Sequence, residues 1–240
     1  MTLLRSLAFN VAFFSVTLVL TLVASVVRLV APHLIRPMAG FWARLVLRLL
    51  RWICGIRLEV EGRENLPRGA ALIASRHQSA FDTFVWLTLT PCCCYVVKQE
   101  LLRIPLFGQL IRTVGMIAVD RSAGASALRT LLRAGESASR TGMQIVIFPE
   151  GTRSEPGPVQ ALQPGVAALA DRTGLPVIPV ATNSGAFWGR RAFRKRPGTI
   201  RILIRAGLPP TLPRQELMRR LRGDLAMPEE ADTPVEKSVG

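Results

Sequence analysis

Acidic side chains are scarce in this 240-residue chain, which sets 16 of them against 31 lysines and arginines. Five of the acids (Asp224, Glu229, Glu230, Asp232 and Glu236) fall after residue 223, where Lys237 is the one cation. The first 223 residues therefore hold 30 cations against 11 anions, nearly all of the cations arginine. That balance argues against a basic partner and for an anionic one. Histidine is scarcer still, with only His33 and His77. The four cysteines are Cys54 and the consecutive Cys92, Cys93 and Cys94, a pattern without metal-ligand spacing. They read as small, buried, reduced side chains, with the thiols on the cytoplasmic side. A G-x-S-x-G nucleophile elbow is absent, which speaks against serine-hydrolase chemistry. There is no internal repeat.

What is abundant is apolar surface. Hydrophobic residues make up 49% of the chain and mean hydropathy is +0.31, high for a soluble protein. A greasy and basic chain fits an anionic membrane surface better than nucleic acid. From Leu7 to Val27 there is no charge at all, and Arg5 and Arg28 flank the run. At about 1.5 Å per residue, such a helix could cross a hydrocarbon layer of roughly 30 Å. Pro32 and Pro37 are expected to break it. A second helix is expected over Met38–Cys54, with Phe41, Trp42, Leu45, Val46, Leu49 and Trp52 on one side and Arg44, Arg48 and Arg51 on the other. That face suits the headgroup boundary, or else packs on the main domain. The arginines from Arg28 to Arg51 follow the apolar run, which places the main domain on the cytoplasmic side of a bacterial inner membrane. A re-entrant hairpin in one leaflet explains the same pattern.

After Gly55 the texture changes to short aliphatic runs: Arg57–Gly62, Ala70–Ser75, Cys92–Val97, Met116–Val119, Met143–Phe148, Val177–Ala181 and Ile200–Arg205. Helical periods separate several of them. Leu128, Leu131, Leu132 and Gly135 share one face, and Val166, Leu169, Ala170 and Thr173 share another before Gly174. The expected fold is a layered α/β domain with a mainly parallel sheet of about seven strands flanked by helices, preceded by the membrane-associated helical pair. The expected divisions are residues 1–55, 56–223 and a mobile acidic tail over 224–240.

Two polar runs stand at strand ends, where α/β sheets bind ligands. Ser75-Arg76-His77-Gln78-Ser79-Ala80-Phe81-Asp82 offers an imidazole and, five residues on, a carboxylate. A carboxylate accepting one imidazole N–H leaves the other nitrogen as a base. Asp82 reads equally as a carboxylate favoured at a helix N-terminus. His33, between the two prolines, reads as structural or interfacial. Phe148-Pro149-Glu150-Gly151-Thr152-Arg153-Ser154 offers a tight turn at Gly151, a hydroxyl at Thr152 and a guanidinium at Arg153 suited to phosphate. A third segment, Gly115 to Arg121, ends a buried strand, and Arg121 reads as a second phosphate ligand or a solvated strand end. Finally, Arg190, Arg191, Arg194, Lys195 and Arg196 interleave with Phe187, Trp188 and Phe193, a pattern that suits nucleic acid, lipid headgroups or a plain solvated loop, with the membrane favoured.

Taken in order, His77…Asp82, Gly115…Arg121, Phe148–Ser154 and Val177-Ile178-Pro179-Val180 resemble the four boxes of the 1-acylglycerol-3-phosphate O-acyltransferase (lysophosphatidate acyltransferase) family. Lys98-Gln99-Glu100-Leu101 and Ile104-Pro105-Leu106-Phe107-Gly108 are similar to the stretch between the family's first two boxes. The resemblance covers roughly residues 57–210. One position departs, since Arg76 stands where many members have Asn. The resemblance implies acyl transfer from acyl-CoA or acyl carrier protein to the sn-2 hydroxyl of lysophosphatidate. In that reaction His77 would be the base and Asp82 its orienter, while Arg121 and Arg153, with Glu150, Gly151 and Thr152, would hold the acceptor. No metal or redox cofactor is implied, nor is nucleic acid. Anionic membrane lipids are the implied surroundings. The rival readings are an acyltransferase of the same fold acting on glycerol-3-phosphate or a lyso-aminolipid, and a non-catalytic membrane-bound lipid-binding protein.

Overall fold

The computed structural model describes residues 2–228, with the side chain of Arg121 outside the described set. Seven strands form one sheet: β1 (Ile56–Glu61), β2 (Ala71–Ser75), β3 (Cys93–Lys98), β4 (Ile117–Val119), β5 (Gln144–Ile147), β6 (Val177–Thr182) and β7 (Gly198–Ile204). Their order is β1-β7-β6-β2-β5-β3-β4. Every pairing is parallel except β6 with β7, so the mainly parallel seven-stranded sheet expected from the aliphatic runs is present.

The central strands are buried along their whole length because helices cover both faces of the sheet. On β2, Ala71 and Ile73 face one core and Leu72 and Ala74 the other, as strand alternation requires. The consecutive cysteines obey the same rule, with Cys93 in the first core and Cys94 in the second. Burial pushes the Cys94 thiol up to about 12, so it is a packing group.

Eight α-helices complete the described fold: α1 (Thr2–Val30), α2 (Ile35–Leu49), α3 (Trp86–Leu89), α4 (Phe107–Thr113), α5 (Ala125–Arg140), α6 (Gly165–Thr173), α7 (Ser184–Phe187) and α8 (Arg214–Asp224). On α5 the buried stripe is Leu131, Gly135 and Ala138, while Leu128, expected on that face, is exposed. Gly135 lets α5 approach α6 closely, because a Cβ there would stand 2.3 Å from Cδ1 of Leu169.

The 29-residue α1 is long and apolar enough to cross a membrane. One face exposes Leu4, Val11, Phe14, Leu18, Leu22 and Val26, while Phe9 and Ala24 are buried on the other. Polar ties hold α1 to the rest of the chain along its length. Lys195 Nζ donates to Asn10 Oδ1 near its start, Trp42 Nε1 donates to Thr17 Oγ1 at 3.0 Å, and Arg28 Nη2 donates to Gln109 Oε1 at 2.5 Å.

Pro32 does open a short turn, but Pro37, expected to break the chain, lies inside the first turn of α2. A first-turn residue needs no intrahelical N–H bond, so proline is tolerated there. From Leu50 the helix widens into a π turn ending at Cys54, where Gly55 takes φ +70°. The expected apolar face of this helix divides. Ala43, Val46, Leu50 and Cys54 pack into the domain core, whereas Phe41 and Trp52 stay exposed. Arg36 points inward too, donating to the carbonyls of Cys93 at 3.0 Å and Val114 at 2.7 Å.

The expected tail boundary at 224 falls too early. Asp224 closes α8, Leu225 is fully buried beside Leu221, and Met227 packs with Ala181 and Leu203. Apolar side chains keep the chain on the domain past its acidic onset. The remainder of the tail, 229–240, lies outside the described residues.

Candidate active site

β2 delivers the chain to Arg76, whose N–H donates to the carbonyl of Val180, and the backbone then turns through residues 77–80 into a single 3-10 turn, Phe81–Thr83. Within this turn Oδ2 of Asp82 accepts the N–H groups of Gln78 and Ser79, both at 2.7 Å, and faces Nδ1 of His77 at 3.3 Å. The two roles open for Asp82 are thus one geometry: a buried carboxylate both closes the turn and meets the imidazole. A carboxylate can only accept, so the proton belongs on Nδ1 and the lone pair on Nε2. The imidazole stacks on Phe148, with ring centroids 4.0 Å apart and planes at 18°.

The second polar run follows β5 and clamps the backbone of the first. Glu150 is buried, and its Oε2 accepts the N–H of His77 at 3.2 Å. Ser154 N–H donates to the carbonyl of His77 at 2.8 Å. Between these anchors, Gly151 takes φ +73°, and a Cβ there would meet Cγ of Gln163 at 3.1 Å. Glu150 therefore touches backbone behind the imidazole, while Gly151, Thr152 and Arg153 line a cavity together with His77.

That cavity has a volume of about 780 Å³. Leu20 and Ala24 of α1, Met38 and Trp42 of α2, and Tyr95 and Ile111 form part of an apolar wall. The polar side chains that line the cavity include His77, Thr152, Arg153, Lys98, Arg190 and Arg191. Burial pushes the Arg153 guanidinium below its ordinary pKa; the Asp82 charge opposes this, and Arg190 and Arg191 add to it.

Arg121 opens a 3-10 turn directly after β4, and its side chain lies outside the described residues. The Val177–Val180 segment is core, with Ile178 and Val180 buried at the centre of the sheet. Among the described residues no group of three or more His, Cys, Asp or Glu is placed to hold a metal ion.

The basic–aromatic cluster does not form one lipid-facing patch. Phe187 and Trp188 are buried, and Lys195 is only 3% exposed, with its ammonium 4.9 Å from the Trp188 ring centroid. All four arginines of the cluster are exposed, and Arg190 and Arg191 also line the cavity. Arg190, Arg191 and Lys98 were thus missed as site residues by sequence reasoning. Arg190 and Arg191 arrive from a distant loop and Lys98 from the last position of β3, and periodicity carries no record of which cavity such side chains share.

Residues 57–183 match the family model described as Acyltransferase. The chain belongs to the acyltransferase family. Similar family members include the 1-acyl-sn-glycerol-3-phosphate acyltransferase of Pseudomonas aeruginosa, 40% identical over 163 residues, which are 68% of this chain and 63% of that protein. The enzyme of the same name from Limnanthes alba is 31% identical over 181 residues, 75% of this chain and 63% of its own length. The chain thus spans just under two thirds of these relatives. The crystal structure titled as the 1-acyl-sn-glycerophosphate (LPA) acyltransferase PlsC from Thermotoga maritima superposes with a TM-score of 0.76 at 23% identity, over 94% of this chain and 95% of that one. That likeness is one of fold, and it includes the N-terminal helices. Within the acyltransferase family match lie His77, Asp82, Glu150, Gly151, Thr152 and Arg153.

Proposed function

We propose that the chain transfers an acyl group from an acyl thioester, acyl-CoA or acyl carrier protein, to the sn-2 hydroxyl of 1-acylglycerol-3-phosphate, giving phosphatidate. One observation carries this reading. A His–carboxylate pair and a guanidinium meet at one largely apolar cavity, in a chain whose family relatives bear that activity in their names. His77 Nε2 takes the proton of the acceptor hydroxyl as its oxygen attacks the thioester carbonyl carbon. The C–S bond then breaks, and the imidazolium returns the proton to the leaving thiolate. Asp82 holds the tautomer, and the positioned base contributes roughly 10²–10⁴ in rate. Arg153 and Arg121 bind the acceptor phosphate, and holding both substrates together supplies orientation. Glu150 positions His77 through its backbone.

The apolar cavity takes an acyl chain, and the wall that α1 and α2 contribute opens it to lipid. Because α1 is tied at both ends to the same domain, it lies within one leaflet, its exposed apolar face in the acyl region of an anionic membrane. The arginine excess that follows it sets the catalytic domain on the cytoplasmic side.

The test is turnover by the purified full-length chain with lysophosphatidate, glycerol-3-phosphate and a lyso-aminolipid, each with both donor types. Lysophosphatidate is expected to be used preferentially. Arg153→Ala is expected to raise the apparent acceptor KM. Turnover of only a non-phosphorylated acceptor, or none at all, would overturn the reading.

A further inference from the structure

The loop between α7 and β7 brings two more guanidinium groups to the cavity. Arg190 and Arg191 line it beside Arg153 and His77, although they lie 37 and 38 residues beyond Arg153 in sequence. Arg191 adopts φ +55°, a conformation rare for residues other than glycine. It lies in a turn closed by Ala192 N–H to the carbonyl of Gly189 at 3.1 Å. In an extended strand, consecutive side chains point to opposite sides; this turn lets two neighbours serve one cavity. The loop is also fixed at its base. Trp188 N–H donates to Ser184 O at 2.9 Å, and Arg196 N–H donates to Phe187 O at 2.8 Å.

Among the described residues, none of the ion pairs involves Arg153, Arg190 or Arg191. Arg153, Arg190 and Arg191 thus share the cavity with Lys98, and Arg190 and Arg191 both act on Arg153. The Asp82 charge offsets them at Arg153, but Asp82 is already engaged with His77 and two backbone N–H groups. Mutual repulsion among cations in one cavity is relieved by an anion, and more by a dianion than by a monoanion.

We infer that Arg190 and Arg191 join Arg153 in a site for a phosphomonoester dianion, and that they make this site select an acceptor with a terminal phosphate over one whose phosphate is esterified to a headgroup. The assignment deepens the proposed function and rests on it for the identity of the acceptor. The apolar cavity does not make this choice, because lyso-lipids of both kinds carry the same acyl chain. The donor's own phosphates share the chemistry, so the experiment separates the two sources.

Full-length R190Q, R191Q and the double variant are compared with the unaltered protein. Each lost guanidinium is expected to raise the lysophosphatidate KM roughly tenfold, the scale of a hydrogen bond to an ion, with kcat and the donor KM little changed. The preference in kcat/KM for lysophosphatidate over a lyso-phosphodiester is expected to fall by a similar factor. R190K and R191K together keep the charge and are expected to recover part of it. Phosphate second ionisation lies near pH 6, so the unaltered protein's acceptor KM is expected to rise as pH falls through that value, and the double variant's, with Arg153 still present, to rise less. A loss of fold would not move the KM of one substrate alone. An unchanged acceptor KM, or a rise confined to the donor KM, overturns the site. Calorimetric binding of glycerol-3-phosphate tests the site without turnover, and equal binding by the unaltered protein and the double variant overturns it even if the acylation reading itself fails.

Discussion

The hydroxyl oxygen of Ser6, in the first turns of α1, accepts the backbone N–H of Lys195 at 2.9 Å. The Lys195 side chain reinforces the link, donating to Asn10 on the same helix and to the carbonyl of Phe193 at 3.0 Å. Its ammonium sits over the rings of Trp188 and Phe9, at 4.9 and 5.4 Å from their centroids. The apolar N-terminal helix and the loop that brings Arg190 and Arg191 to the cavity are thus one packed unit. The helix is a wall of the domain as well as an apolar surface.

Removal of α1 should therefore do more than release the protein from lipid. Phe9 is fully buried, in edge contact with Trp188 at 5.5 Å. Phe9→Ala is expected to cost about 3–5 kcal/mol of stability, the range for deleting a buried aromatic. A chain beginning at Ala31, which keeps α2, is expected to aggregate in buffer without detergent or lipid. Denaturant melts of the variant and light scattering of the truncated chain check both, and a monodisperse truncated domain would refute the coupling.

His77→Ala is expected to lower kcat by roughly 10²–10⁴ while leaving the fold intact. Asp82→Asn should match it in rate and also lose stability, by about 1–3 kcal/mol, because the carboxylate that accepts from Gln78 and Ser79 is altered. Thioester consumption and thermal melts on the same samples separate these effects. Near-normal turnover in His77→Ala would remove the base assignment.

Acid should act on α8. Hydrogen bonds from Arg219 and then Arg220 lower Glu216 from 4.5 to about 2. A carboxylate with a depressed folded pKa contributes stability above its unfolded value and loses it as pH falls. The contribution is therefore full above about pH 4.5 and gone near pH 2. Melting temperatures of the unaltered protein and Glu216→Gln should differ at pH 6 and converge toward pH 2.

Topology gives a direct check on the immersion of α1. With Arg28 tied to Gln109 and Asn10 tied to Lys195, the two ends of the helix belong to one domain face. Single cysteines placed at residues 2 and 31, in a background whose native cysteines are buried or replaced, should react with a membrane-impermeant reagent from the same side of sealed vesicles. Labelling from opposite sides would establish a spanning helix.

Much of this was legible in the sequence. Aliphatic runs marked all seven strands to within a few residues: the central β2, β5 and β6 because strands covered on both faces are largely apolar, and the edge strand β1 by its alternation of aliphatic and charged residues. His77, Asp82 and the Glu150–Arg153 turn were visible because each is built from neighbours in the chain. Asp82 could close its turn and meet its imidazole only at short spacing. By contrast, the clamp of Glu150 and Ser154 on the His77 backbone joins residues more than seventy positions apart. The division of the basic cluster was hidden for the same reason. Composition could not say that Lys195 turns inward to α1 while Arg190 and Arg191 turn to the cavity.

Sequence alone thus determined the strands, the apolar helix and the short-range pairing of His77 with Asp82, since local periodicity and short-range hydrogen bonding are written in adjacent residues. Only tertiary structure decided which cations share the cavity, which one is buried as a strut, and that α1 lies along the domain. Those outcomes depend on packing between segments far apart in the chain, where burial and charge repulsion are settled by three-dimensional proximity.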